Sequence, residues 1–273
     1  MPPKSEPVPN PKNGTIPKKP GWPHHLIFTL TLAAAAATFF NPAGTTSNLD
    51  ALLILCATAA SISALARQLP LQSVLFAAFI TALIGGTAHG LSARTGLPFG
   101  PLTFGETAGP KLFNTVPWTV GLLWIIAIFN SRGVARLMLR PWRRMKTYGF
   151  WLMVLTAVLA LVFDFALEPF ARAKHLWLWL PTKIPVTWHG ASPLSFLGWA
   201  AVSLLILAII MPYLIRKQPG SNSAPDYAPL ALWLGAVILF AVNSAQAGQP
   251  GALMVDIVAA GVISLFAWRG ARW

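Results

Sequence analysis

Eight apolar runs divide this chain, and basic residues collect in every second gap between them. The runs are about His25–Phe40, Leu49–Ala66, Leu71–Leu91, Val116–Phe129, Tyr148–Leu167, Ser195–Ile215, Ala228–Ala245 and Gly251–Trp268. A bilayer core takes about 20 apolar residues of helix, and the first and fourth runs fall short of that. Inside hydrocarbon the backbone must satisfy its own polar groups, so runs of this length are helices. Only 10% of the residues are charged, against roughly 25% in a soluble domain. The expected fold is therefore all-α: a polytopic integral membrane protein of about eight transmembrane helices, forming a single domain over 24–273. Residues 1–23, rich in Pro and Lys without an apolar period, read as a disordered tail. No cleaved signal peptide is expected ahead of the first run.

The charges set the orientation. With the amino terminus in the cytoplasm and eight crossings, fifteen Lys and Arg fall on the cytoplasmic side and five outside. That split obeys the positive-inside rule and puts both termini in the cytoplasm. A net charge of +13 would point to nucleic acid in a soluble protein. Here the basic residues flank apolar runs, so topology and anionic lipid headgroups on the cytoplasmic loops account for them, and no nucleic acid is expected. The single Cys56 leaves no disulfide framework and no cysteine metal site. No phosphate-cradling Gly-rich loop and no zinc-spaced set of ligands is present, so neither metal nor cofactor is expected.

Against this background the few acids stand out. The chain has seven Asp and Glu, and two of them, Asp164 and Glu168, share one helix face at the end of the fifth run. A carboxylate in hydrocarbon costs ~2.5–3.5 kcal/mol on insertion scales. Two carboxyls sharing a dry site can hold one proton between them, ready for donation. The charge count places this pair toward the outer face. It places His89, Asn243, Asp256 and the two long connections at 92–115 and 172–194 there as well. Each has a plainer reading. Glu168 precedes Pro169, which distorts a helix end, and can pair with Arg172 four residues on. Asp256 can accept hydrogen bonds from another helix or line a site. His89 can be an ordinary interfacial histidine. Trp177, Trp179 and Trp188 fit an aromatic belt at the interface. The pair Gly85-Gly86 would let another helix or a flat group approach closely.

The connections carry a pattern. His89-Gly-Leu-Ser-Ala-Arg-Thr-Gly-Leu-Pro-Phe-Gly100 is followed by Val116-Pro-Trp118, Phe163-Asp-Phe-Ala-Leu-Glu-Pro169, the Trp177/Trp179 segment and Ser195-Phe-Leu-Gly-Trp199. In this order they resemble the membrane-bound carotenoid biosynthesis proteins, the family of bisanhydrobacterioruberin hydratase and γ-carotene 1′-hydratase type. His89 stands near where that pattern has a glutamate, and Glu168 where it has an aspartate before proline.

The resemblance implies a cofactor-independent hydratase acting on a membrane carotenoid or other isoprenoid lipid. Such an enzyme protonates the terminal C1,C2 double bond of an acyclic end group, and water captures the tertiary cation. On this reading Asp164, Glu168 and His89 supply the acid, the water-holding carboxylate and a base. Phe99, Trp118, Trp177, Trp188, Trp199 and Asp256 line the substrate, with aromatic faces toward the cation. The implied location is a bacterial plasma membrane, with the site at the outer face. The oligomeric state is left open. Two other readings keep the same residues: a non-catalytic carotenoid- or lipid-binding membrane protein, and a proton-coupled transporter with Asp164, Glu168 and Asp256 as relay.

Overall fold

A computed structural model describes residues 21–40, 47–181, 184–214 and 224–273. Most of the Pro- and Lys-rich tail, together with Lys183, Arg216 and Lys217, lies outside these residues. Eight long helices follow in order: α1 Trp22–Phe40, α2 Ser47–Ala66, α3 Leu71–Thr95, α4 Trp118–Met138, α5 Tyr148–Ala173, α6 Pro193–Leu214, α7 Ala228–Gln246 and α8 Pro250–Ala271. They hold 19 to 26 residues, or ~28–39 Å at 1.5 Å per residue, the thickness of a bilayer core. The chain is an all-α polytopic membrane protein.

Among the described residues, seven helices are long and apolar enough to cross a membrane, α2 through α8. α1 is an Ala-rich run with two histidines and three threonines. Its packing is nonetheless that of a full hairpin with α2. His24 at the start of α1 meets the end of α2, with Nδ1 2.9 Å from Ser63 Oγ and Nε2 3.2 Å from Arg67 Nη1. The two helices therefore run antiparallel over their common length.

Three helices extend beyond the apolar runs. The third continues to Thr95 and ends on Gly96, whose φ of 78° is the left-handed cap a glycine adopts cheaply. The fifth runs past Pro169 to Ala173. The fourth does not stop at Phe129 but continues through Asn130, Ser131 and Arg132 to Met138. Arg132 and Arg136 thus belong to a helix, not to a loop. Asn130, Ser131 and Arg132 are all buried. Neighbouring helices receive them: Asn130 Nδ2 donates to Ser61 Oγ at 2.9 Å, Arg132 donates to the Leu214 carbonyl, and Arg136 to Gln68. The basic half of the bundle therefore holds buried polar groups that the apolar pattern assigns to solvent.

α4 is the central post, in contact with α2, α3, α5, α7 and α8. Small residues let the backbones close up on it, as membrane helices do when no hydrophobic force draws them together. A Cβ on Gly121 would lie 3.1 Å from the Ala82 carbonyl of α3, and Gly270 of α8 abuts the Leu137 and Met138 carbonyls of α4. Large apolar side chains point outward instead: Leu71, Leu75, Phe79 and Leu83 form an exposed stripe along α3 at intervals of four.

The connections from α3 to α4 and from α5 to α6, expected as loops, contain short strands: β1 Leu102–Phe104, β2 Lys111–Leu112, β3 Val116–Pro117 and β4 Trp177–Trp179. β1 pairs antiparallel with β4, Leu102 opposite Trp179 and Phe104 opposite Trp177, while β2 pairs with β3. Three residues are too few to show an alternating pattern in sequence, and the pairing partner of β1 lies some seventy residues away.

Candidate functional site

Asp164 and Glu168 are both buried, at 0% and 1% exposure. They lie in the last turns of α5, where no water can compensate a bare carboxyl. Their partners differ. Glu168 Oε2 accepts two indole N–H bonds, from Trp179 at 2.8 Å and Trp177 at 3.3 Å. Glu168 Oε1 and both oxygens of Asp164 have no hydrogen-bond partner. Strand geometry makes the double bond to Glu168 possible. Alternate residues of a strand face the same side, so Trp177 and Trp179 both turn toward α5 while Leu178 between them is exposed. The expected Glu168–Arg172 pair does not form. Arg172 extends to the surface at the helix end, and the indoles take the inward-facing carboxylate.

Pro169 contributes in a way the sequence does not spell out. Lacking an N–H, it leaves the carbonyl four residues back, that of Phe165, without its helical donor. Trp188 Nε1 fills the gap at 2.9 Å. Its ring stacks on Phe165, with centroids 4.5 Å apart and 11° between planes. Trp188 is thus tied to the helix that bears the carboxyl pair. The neighbouring His189 lies in the connection outside the spans. Burial first, then Arg172, hold its imidazole below the ordinary histidine value.

His89 is not at the end of its helix. It is 3% exposed and more than a turn inside α3. The T-G-L-P-F-G stretch builds its surroundings. Gly96 ends α3, Leu97–Pro98 is a cis peptide, and Gly100 has φ 110°. Ser92 Oγ donates to the Gly100 carbonyl at 2.7 Å and accepts from Phe99 N at 3.1 Å. The loop is pulled back so that Phe99 covers His89, with ring centroids 4.4 Å apart. Gly198 on α6 makes room, since a Cβ there would meet Phe99 and the Pro98 carbonyl at 2.7 Å. Trp199, Trp124, Trp177 and Phe104 complete the enclosure at 5.9 to 6.3 Å from the His89 ring. Trp177 therefore touches both groups: its ring borders His89 and its N–H holds Glu168.

The structure brings together Asp164, Glu168, His89, Phe99, Trp177 and Trp199 at one end of the bundle, with Trp188 stacked on Phe165 of α5. Two of the expected lining residues sit elsewhere. Trp118 begins α4, half-buried, with its N–H side near Gly109. Asp256 on α8 is buried and faces α7, where Ser244 Oγ approaches Oδ2 at 3.4 Å. Three residues were not among the expected site residues. Trp124 and Phe104 complete the ring enclosure. Asp50 joins Thr119 and Trp177 around a cavity of about 10 Å³, enough for about one water. Trp124 gave no signal beyond its place in the same apolar run as Trp118, since a spacing of six puts the two on different helix faces. Asp50 gave a signal of its own, a single acid at the edge of the second apolar run.

The family model described as carotenoid biosynthesis protein matches residues 49–263. That stretch covers α2 through most of α8 and every element that builds the enclosure. No curated protein and no solved structure matches the chain.

Proposed function

We propose that this chain, which belongs to the carotenoid biosynthesis protein family, is a hydratase of acyclic carotenoid end groups. A carotenoid-related role in the membrane follows from the family. The hydratase chemistry rests on one observation above all: two buried carboxyls a helical turn apart, one held by two indole donors and the other by none. Hydrogen bonds to a carboxylate favour its anion, so Glu168 is the acceptor of the pair and Asp164 the proton carrier.

The reaction then balances with these two groups. Asp164 gives its proton to C2 of the terminal double bond, and a tertiary cation forms at C1. Water bonds to C1 through oxygen and releases a proton to Glu168 Oε1. The proton returns to Asp164 across the pair, and the product is the tertiary alcohol. Aromatic faces suit a cation passing through an apolar site, and Phe99, Trp177 and Trp199 offer them. On the charge bias, the site faces the outer side of a bacterial plasma membrane.

Expression in cells that accumulate lycopene or γ-carotene tests this reading. The expected outcome is a pigment heavier by one water. Well-folded protein that yields no such pigment from any acyclic-ended carotenoid would sink it. The transporter reading draws on the buried Asn130, Ser61 and Arg132 in the other half of the bundle. The same experiment separates it, because transport leaves pigment mass unchanged. A carotenoid binder would retain pigment of unchanged mass and would tolerate Asp164→Asn.

A further inference from the structure

Trp124 and His89 form a buried hydrogen-bonded pair whose surroundings favour one arrangement of protons. Trp124 is fully buried, and its Nε1 lies 3.1 Å from His89 Nδ1. The same Nδ1 lies 3.3 Å from the Gly85 carbonyl. The two contacts compete. An indole N–H only donates, so a bond from Trp124 requires a lone pair on Nδ1. A bond to the Gly85 carbonyl requires a proton there instead, and the two N–H groups would then face each other.

The surroundings favour the first arrangement. The Gly85 carbonyl already accepts the helical N–H of residue 89, so it loses nothing when the imidazole turns acceptor. Losing the Trp124 bond would leave a buried indole N–H bare. The indole is also clamped in place. It occupies the space where a Cβ on Gly85 would sit. Its other face stacks on Trp199 at 3.8 Å and 14°.

We propose that Trp124 is a positioning residue that holds His89 in the tautomer with its proton on Nε2, making His89 a hydrogen-bond donor in the site rather than a base. With the Nδ1 lone pair engaged and Nε2 protonated, the neutral ring has no free acceptor. In the hydratase reading, on which this role rests, the Nε2–H orients the oxygen of the incoming water or the product alcohol. The carboxyl pair is left to accept the proton.

Two measurements test this, and the first does not depend on activity. Full-length protein carrying ¹⁵N-histidine in lipid nanodiscs is compared with its His89→Gln variant by solid-state NMR, so that the His89 signals are the ones that vanish. The expected spectrum has a protonated Nε2 and an unprotonated Nδ1. Trp124→Phe, which keeps a ring and removes the donor, should shift the population toward the Nδ1–H form. Wild-type protein with its proton on Nδ1 overturns the proposal whatever the pigment assay gives.

The second measurement is turnover in the pigment assay. His89→Gln keeps an N–H donor and should retain more turnover than His89→Leu, which offers none. Trp124→Phe should lower turnover about tenfold with the half-saturating pigment level unchanged. His89→Leu matching or exceeding His89→Gln in turnover overturns the donor role. If no variant and no wild type hydrates pigment, the hydratase reading falls while the tautomer stands on its spectrum.

Discussion

At the scale of single residues, the carboxyl pair is costly to the fold and useful only to chemistry. Asp164 is buried with both oxygens unpartnered, a condition that costs stability in any protein. Replacing it with Asn removes the acid but keeps the shape. We expect Asp164→Asn to lower product formation by about 10²–10⁴-fold, the usual worth of a positioned acid. Its thermal midpoint in detergent should not fall, since no hydrogen bond is lost. A large loss of midpoint would mean that Asp164 is structural. Glu168 should behave differently because two indoles hold it. Trp179→Phe removes the shorter of those bonds and should cost about 1.5–3 kcal/mol, read as a lower unfolding midpoint together with reduced turnover. An unchanged midpoint would show that the Trp179 bond carries little.

At the scale of elements, glycines set how closely the helices and the covering loop approach. Gly198 in α6 admits the Pro98–Phe99 corner, and a Cβ there meets backbone and ring at 2.7 Å. Gly235 in α7 meets nothing within 4 Å. Gly198→Ala should therefore destabilise by about 1–3 kcal/mol through overpacking and displace Phe99 from His89. Gly235→Ala should stabilise by about 0.5–1 kcal/mol through helix propensity alone. Unfolding midpoints of the two variants, measured side by side, check the contrast. Equal midpoints would mean that the loop has slack to retreat. The pairing of β1 with β4 matters for the same reason. It carries Trp177 and Trp179 as one rigid face, so the covering connections act as part of the site and not as a lid of independent loops.

At the scale of the whole molecule, the question is how many times the chain crosses. Among the described residues seven helices qualify by length and composition, α2 through α8. The contacts of His24 with Ser63 and Arg67 set α1 antiparallel along α2, which supports eight crossings. We expect reporters fused ahead of the first residue and after Trp273 both to read cytoplasm. A reporter after Trp273 that reads the outer compartment would break the eight-span arrangement. A split result, with only the amino-terminal fusion outside, would mean that α1 lies along the membrane surface.

Class, helix order and the oddity of Asp164 and Glu168 were legible in the sequence. Each rests on local facts: the length of an apolar run, the sign of the charge beside it, and the i, i+4 spacing of two acids. The helix ends were less legible. Asn130, Ser131 and Arg132 look like the start of a loop because polarity in sequence does not say whether water or another helix will receive it.

What surrounds the carboxyls was decided only by tertiary structure. The indoles that hold Glu168 come from a strand nine and eleven residues away, fixed by pairing with a partner in another connection. The group that satisfies Phe165 is Trp188, whose N–H answers a donor removed by Pro169. The rings around His89 come from α4, α6 and both covering connections. Asp256 faces Ser244 because packing, not depth in the membrane, sets its neighbours. A sequence records which polar groups must be satisfied. Which partners satisfy them depends on distances between segments far apart in the chain, and those exist only once the helices have packed.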